Sequence, residues 1–188
     1  VEVKHFGTAS KSTVSSKSYE EKGTIVGDTL VNGGKYIATS SEAEAGTVLV
    51  SSKDVELNIS ASAKVGTVAG TTDEAQAAIK SNTNIPSDKK LDSDTAVEPT
   101  TDFAGGLGTE NSPYIISTVK DFKNIDKYAR KGSYFYKQTN DLNVTSNQIS
   151  IFQGTYDGAN FKLSYLLDEG DYATIFNELN GSSNFINI

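Results

Sequence analysis

Four carboxylates late in the chain, Asp157, Asp168, Glu169 and Asp171, are the side chains whose types and spacing could do acid–base work. Glycoside hydrolysis or lyase chemistry needs two such groups facing one another across a bond. Asp157 sits in Tyr156-Asp157-Gly158, where a side-chain bond to the backbone of a turn is the competing role, and Asp168-Glu-Gly-Asp171 has the composition of a loop. Neither patch has the Asp-x-Asp-x-Asp-Gly spacing of a calcium loop. His5 is the only histidine, so a His-Glu-x-x-His zinc pair cannot be assembled and a serine triad lacks its base. Alone near one end, His5 reads as an incidental surface residue. Tyr134, Tyr136, Tyr156, Tyr165 and Tyr172 could stack on sugar rings, although aromatic residues in strands more commonly fill a core. Gly105-Gly106-Leu-Gly108 is not followed by a helix and a lysine, as a phosphate loop would be; Tyr114-Ile-Ile116 follows, and the glycines read as a turn entering a strand. No catalytic, metal or cofactor-binding residue is assigned.

The elements that would carry these residues are mostly strands. Of 188 residues only 36 % are hydrophobic, Ser and Thr number 22 and 19, and Cys, Met and Trp are absent. That composition favours β structure with many polar faces and excludes disulfides and thiolate metal sites. The net charge is −7 and Arg130 is the single arginine, which argues against nucleic-acid binding and against an anionic membrane surface. No run approaches the roughly 18 apolar residues that span a bilayer. Starting at Val1 without Met or signal peptide, the sequence reads as a mature or trimmed chain.

Residues 1–22 are Ser/Lys-rich and read as a loosely structured segment or edge strand. Residues 23–81 form a β-rich region with strands at Thr24-Ile-Val26, Lys35-Tyr-Ile-Ala38, Thr47-Val-Leu-Val50, Val55–Ile59 and Val65–Val68, and a short helix near 72–80. Val26 to Val48 and Ile37 to Ile59 are 22 residues apart, and Val48 to Val68 is 20. Strands at half that interval suit a small antiparallel sandwich; recurrence at about 20–22 suits solenoid coils with two strands each. Residues 82–102, with Pro86, Pro99 and five acidic side chains, read as an acidic linker or long loop, with a domain boundary near residue 100.

In residues 103–188, Ser117 or Thr118 caps a helix over about 119–131, with Val119, Phe122, Ile125, Tyr128 and Ala129 on one face and Gly132 as its stop. Alternation then places Phe135, Leu142 and Val144 inward, and strands at Phe161–Tyr165 and Asn184–Ile188 follow. Val144 to Leu163 is 19 residues and Leu163 to Ile186 is 23, the rhythm of one strand per irregular coil. The expected fold is mainly β, a right-handed parallel β-helix whose open end the helix caps. Parallel stacking near Val144, Leu163 and Ile186 is what this requires.

The order of Phe103 to Ser117, Tyr134 to Leu142 and Phe152 to Gly158 resembles the β-helix entry of bacterial surface proteins with GLUG-type repeats. Similar stretches occur in adhesin-like proteins and upstream of IgA-protease-type zinc metallopeptidase domains. The resemblance covers residues 103–188. It departs at Thr174-Ile-Phe-Asn177, where Gly-Leu-x-Gly would fall, and at Ala159-Asn-Phe161, where Asn-Gly-His is usual. It implies a non-catalytic, adhesin-like or structural module, extracellular or on the bacterial cell surface, whose partner is an extracellular protein or glycan. A carbohydrate-binding or carbohydrate-active β-helix, and a non-catalytic segment of a larger surface peptidase, are the alternatives. The sequon Asn180-Gly-Ser182, like those at Asn58 and Asn143, matters only in a eukaryotic secretory host.

Overall fold

The structure, a computed structural model, describes residues 1–145, 149–165 and 174–188. The protein is mainly β, and every pairing between its strands in the described residues is parallel. Among the described residues no sheet closes on itself. The chain divides into two compact units, Val1–Thr100 and Thr101–Ile188. No helix among the described residues is long and apolar enough to cross a membrane.

The first unit contains β1 (Glu2–His5), β2 (Thr8–Ala9), β3 (Ser12–Val14), β4 (Ser18–Glu21), β5 (Thr24–Val31), β6 (Lys35–Ala38), β7 (Glu44–Val50), β8 (Glu56–Ile59), β9 (Lys64–Gly70) and helix α1 (Asp73–Ser81). From β4 onward the chain alternates between two sheets. One has the order β1-β4-β6-β8; the other has β2-β5-β7-β9, with β3 also on β5. Each return therefore lays a strand beside the one placed about twenty residues earlier, as Val48 beside Thr29 and Val68 beside Val48. Inward positions alternate with outward ones, and Tyr36, Val48, Leu57, Ile59, Val65 and Val68 make one continuous core. The pairing is not the antiparallel pairing of a small sandwich of hairpins.

Two of the spacings read from the sequence miss the true partners. Val26 does not face Val48, because β5 and β7 pair at an offset of 20 residues up to Ile25 and, past a bulge between Ile25 and Asp28 that puts one extra residue into β5, at 19, so Val48 faces Thr29. Ile37 faces Asn58, and Ile59 faces Ala38. Residues 1–22, expected to be loosely held, form β1 to β4; their few apolar residues suffice because Val14, Tyr19 and the buried Glu21 all point inward and the ladder satisfies the backbone.

The far end of this unit is covered. Thr72 caps α1 by accepting from Ala75 N, and Ala75 and Ile79 are buried in the core. Gln76, fully buried, accepts from Gly70 N at 2.7 Å and donates to Ser93 O at 2.7 Å, which ties β9 to the segment after the helix. That segment, read as a linker or long loop, is irregular but packed on the stack. Leu91 N donates to Val68 O, Val97 N to Gly70 O, Lys89 Nζ to Val65 O, and Ile85 is buried. The edge of β9 is thereby withheld from further strands.

The second unit contains β10 (Tyr114–Ile116), α2 (Val119–Ala129), β11 (Tyr134–Gln138), β12 (Leu142–Val144), β13 (Ile149–Phe152), β14 (Gly154–Asp157), β15 (Leu163–Tyr165), β16 (Phe176–Leu179) and β17 (Asn184–Ile186). The chain visits three sheets in turn: β10-β11-β14-β17, β12-β15 and β13-β16. Tyr136 faces Tyr156, and Tyr156 faces Phe185, so one inward position recurs through three rungs. Thr118 and Asp121 form a reciprocal capping box at the start of α2, which packs against β10, β12 and β13 in the place that strands occupy later. Phe122 and Ile125 are wholly buried, worth about 1.5–3 kcal/mol each by area.

Leu142 stacks in parallel on Leu163, and Val144 on Tyr165, but Ile186 stacks on Asp157 in a different sheet. Because the chain visits three sheets in turn, the spacing of 23 from Leu163 to Ile186 joins residues of different sheets. Phe135 is the second departure. Tyr136 and Gln138 point inward instead, because the Tyr156 hydroxyl donates to Gln138 Oε1 at 2.9 Å and makes a polar inward pair tolerable. Phe161 lies outside β15, after Ala159 and Asn160 at positive φ, and is 38 % exposed.

Candidate functional site

Four tyrosines of the second unit come together where the glycine-rich turn meets the first strands. Tyr114 comes from β10, Tyr128 from α2, and Tyr134 and Tyr136 from β11, with Phe103 beneath them. Gly105-Gly106-Leu-Gly108 builds the floor. Leu107 N donates to Ser112 O and Ile115 N to Gly105 O, so the turn folds back on β10. Gly108 has φ +75°, and a Cβ there would collide with the rings of Tyr114 and Tyr134. The glycines allow rings to approach backbone; they do not cradle phosphate.

The rings are in direct contact. Phe103 and Tyr114 stack at 4.4 Å and 25°, Tyr114 meets Tyr128 at 5.2 Å, and Tyr128 meets Tyr134 edge-on at 5.8 Å. At these separations nothing fits between the rings, so the cluster offers outer faces and hydroxyls and not an enclosed cage. Tyr114, Tyr128 and Tyr134 are half-buried; Tyr136 is buried, and its hydroxyl has no hydrogen-bond partner among the described residues.

Asp102 lies at the rim. Lys127 Nζ donates to its Oδ1 at 2.8 Å and the Tyr128 hydroxyl to its Oδ2 at 3.1 Å, and Asn124 Nδ2 donates to its carbonyl at 2.6 Å. The hydrogen bond from Lys127 holds the Asp102 carboxyl below its usual range. Lys131 Nζ stands 5.2 Å over the Tyr128 ring. Burial pushes the Tyr114 phenol up to about 12, with the neighbouring phenols and Asp102 adding to it. Burial also raises Tyr136, whose hydroxyl shares the field of Tyr114, Tyr134 and Tyr128. The arrangement presents aromatic faces beside phenolic hydroxyls, a carboxylate and two ammonium groups, the set of groups that holds a hydroxylated ring by stacking and hydrogen bonds.

The residues singled out from sequence are scattered. Asp157 Oδ1 accepts from Ala159 N at 2.9 Å and from Asn187 Nδ2 at 3.0 Å, a turn role. Tyr156 is buried on Gln138, and Tyr165 pairs with Val144 in its sheet. Of the four of these tyrosines among the described residues, Tyr134 and Tyr136 join the cluster. Asp168, Glu169, Asp171 and Tyr172 lie outside the described residues. Asp102, Tyr114 and Tyr128 were missed, being spread over a loop, a strand and a helix; the signal available was the fourth tyrosine position on the apolar face of α2.

His5 is not incidental. Its Nδ1 is 2.8 Å from Oε1 of Glu21, a carboxylate with no solvent exposure. The same carboxylate accepts from Gly23 N at 2.7 Å and from the Tyr19 hydroxyl at 2.9 Å. Three donors on a buried charge make a structural clasp between β1 and β4. A separate cleft of about 260 Å³ lies between α1 and the β7–β8 connection, lined by Val50, Val55, Leu57, Ala75, Ala78 and Ile79 with Lys53 and Asn82 at its edge. Compared with family models, curated proteins and solved structures, the chain matches none of them.

Proposed function

We propose that the protein is a non-catalytic scaffold of the adhesin-like kind, extracellular or held at a bacterial cell surface, built as a β-solenoid. In this reading the first unit is a stack of two-strand coils, and the second is the capped start of a right-handed parallel β-helix with α2 over one end. The observation that carries it is the recurrence of strand positions in parallel register. Inward residues then form a core in each unit, and outward residues pair across neighbouring strands, as Lys4 with Glu20 at 3.1 Å and Lys35 with Glu56 at 3.7 Å. A surface of that kind is polar and regular, suited to presenting ligands or being bound, and its partner would be an extracellular protein or glycan. Labelling of intact cells with an antibody against the purified chain tests the address; signal appearing only after permeabilisation would contradict it.

The tyrosine cluster favours a second reading, carbohydrate binding by the second unit. Stacking on the outer faces of Tyr114 and Tyr134, with hydroxyls held by Asp102 and Tyr128, is the chemistry that would recognise a pyranose. A glycan array with the wild type and Tyr134→Ala tests it. Reproducible binding lost in the variant supports this reading, and binding of no glycan, or equal binding by both, removes it.

A further inference from the structure

We infer that the first unit binds an extended peptide of a partner protein, added antiparallel to the edge of β8 with one apolar side chain in the cleft beside α1. The cover over the far end of this unit is incomplete at β8. Glu56 N donates to Gly34 O and Ser60 N to Ala38 O, so Glu56, Asn58 and Ser60 turn their backbone toward β6. By the strand period of two, Leu57 and Ile59 turn theirs to the opposite edge. The register that sets Glu56 beside Lys35, 21 residues earlier, would set a further strand at 77–80, where the chain forms α1 instead. Ile59 N donates to Asn84 O at 3.0 Å. Leu57 is only 4 % exposed, yet neither its N–H nor its C=O has a hydrogen-bond partner among the described residues. A buried donor and acceptor left unpaired on one residue are rare and costly, and a single partner residue satisfies both.

Two clefts meet over this residue. The apolar one, of about 260 Å³, has Val50, Ala75, Ala78 and Ile79 in its walls. The other, of about 350 Å³, has Lys35, Glu56 and Asn58 in its walls, and Val55, Leu57 and Asn82 border both. A backbone laid along β8 would therefore run between an apolar hollow on its inward side and a polar one on its outward side. Its direction follows from the hydrogen bonds. A parallel partner would bond Leu57 O through a residue whose own carbonyl goes to Ile59 N, and Asn84 already holds Ile59 N. An antiparallel partner needs one residue opposite Leu57, which exchanges both bonds with it. That residue shares the inward face of Leu57, so its side chain enters the apolar cleft while its two neighbours point outward over Lys35, Glu56 and Asn58. Lys53 stands at the mouth of the apolar cleft, exposed and in no ion pair among the described residues. The residues that follow the apolar one pass Val55 toward Lys53, so an acidic side chain two positions on completes the match. Strand addition of this kind takes its affinity from the backbone and its specificity from the pockets for alternate side chains.

The probe is the acetylated, amidated peptide Ser-Thr-Leu-Thr-Asp, with analogues carrying valine, isoleucine or phenylalanine in place of leucine. Each is titrated to about 1 mM into the isotope-labelled 188-residue chain, and the amide signals are followed by NMR. One pair of backbone bonds and one buried side chain give weak binding, with Kd on the order of 100 µM. The Leu57 amide signal moves as the site fills. N-methylation of the peptide's leucine removes the N–H that meets Leu57 O and weakens binding at least about tenfold. N-methylation of the threonine after it, whose N–H points away from the edge, leaves Kd within about threefold. Ala78→Trp fills the cleft from a half-buried position and removes binding, with circular dichroism checking the fold. Lys53→Glu, at an exposed position, exchanges the preference for aspartate at the last residue for one for lysine, and it reports even where Ala78→Trp does not fold. Failure of all four peptides to move Leu57 overturns the inference. So does equal binding by the two N-methylated peptides, or binding unchanged by a folded Ala78→Trp.

Discussion

Glu21 shows how much one side chain can decide. It is a buried carboxylate whose three hydrogen bonds come from the backbone of Gly23, the hydroxyl of Tyr19 and the ring of His5. Glu21→Ala strands those donors and should cost about 3 kcal/mol, read as a lower urea midpoint at unchanged slope. The tyrosines respond to pH instead. Burial pushes Tyr19 and Tyr114 up to about 12 and carries Tyr36, Tyr136 and Tyr156 higher still. The folded state favours the neutral phenol. Its contribution to stability is therefore complete below the unfolded value of 10.0 and is lost as pH rises through the folded values. Phenolate absorbance from the buried tyrosines should rise only near or above about 12, in step with unfolding. A single transition near 10 with the fold intact would contradict this burial. Neither Glu21 nor the tyrosine cluster was legible beforehand. Glu21 looks like any strand glutamate, because alternation says which residues share a face and not which face is inside. The same one-residue ambiguity put Phe135 inward in place of Tyr136.

Among elements, α2 was the most legible. Its N-cap and apolar stripe were readable because they are local: Thr118 meets Asp121 three residues on, and Val119, Phe122 and Ile125 repeat at helical spacing; its end comes at Ala129, two residues before the expected 131. Thr118→Ala should cost about 1 kcal/mol of stability in thermal or urea unfolding. The turn before it is a stronger dependence. Gly108→Ala would place a methyl group against Tyr114 and Tyr134 at a backbone angle that alanine disfavours, and should destabilise the second unit by about 2 kcal/mol or more. Tyrosine fluorescence would report the displaced rings. Strands existed where alternation said they would, but their partners were not local facts. Val144 and Leu163 share a sheet while Ile186, on the same rhythm, lies in another, and the bulge in β5 shifts a partner by one residue while leaving the hydrophobic pattern intact. The segment after α1 read as a linker because its composition is polar. Only tertiary hydrogen bonds, such as Leu91 to Val68, reveal that it covers an edge.

At the scale of the whole molecule the account rests on parallel stacking in register. A stack tolerates loss of a rung better than a closed core does, since each rung touches only its neighbours. Deleting residues 35–55 removes β6 and β7 together and brings β8 beside β4 and β9 beside β5. The shortened chain should still unfold cooperatively, at a lower temperature; collapse to a molten state would show that the core is not modular. The most direct measurement uses the absence of cysteine in the natural sequence. Lys35 faces Glu56 and Ile37 faces Asn58 across β6 and β8. Paired cysteine substitutions joined by a short thiol-specific cross-linker should link 35 with 56 and 37 with 58 efficiently, while 35 with 58 and 37 with 56 link poorly. The reverse pattern, efficient linking of 35 with 58 and of 37 with 56, would mean antiparallel strands and would contradict the stack.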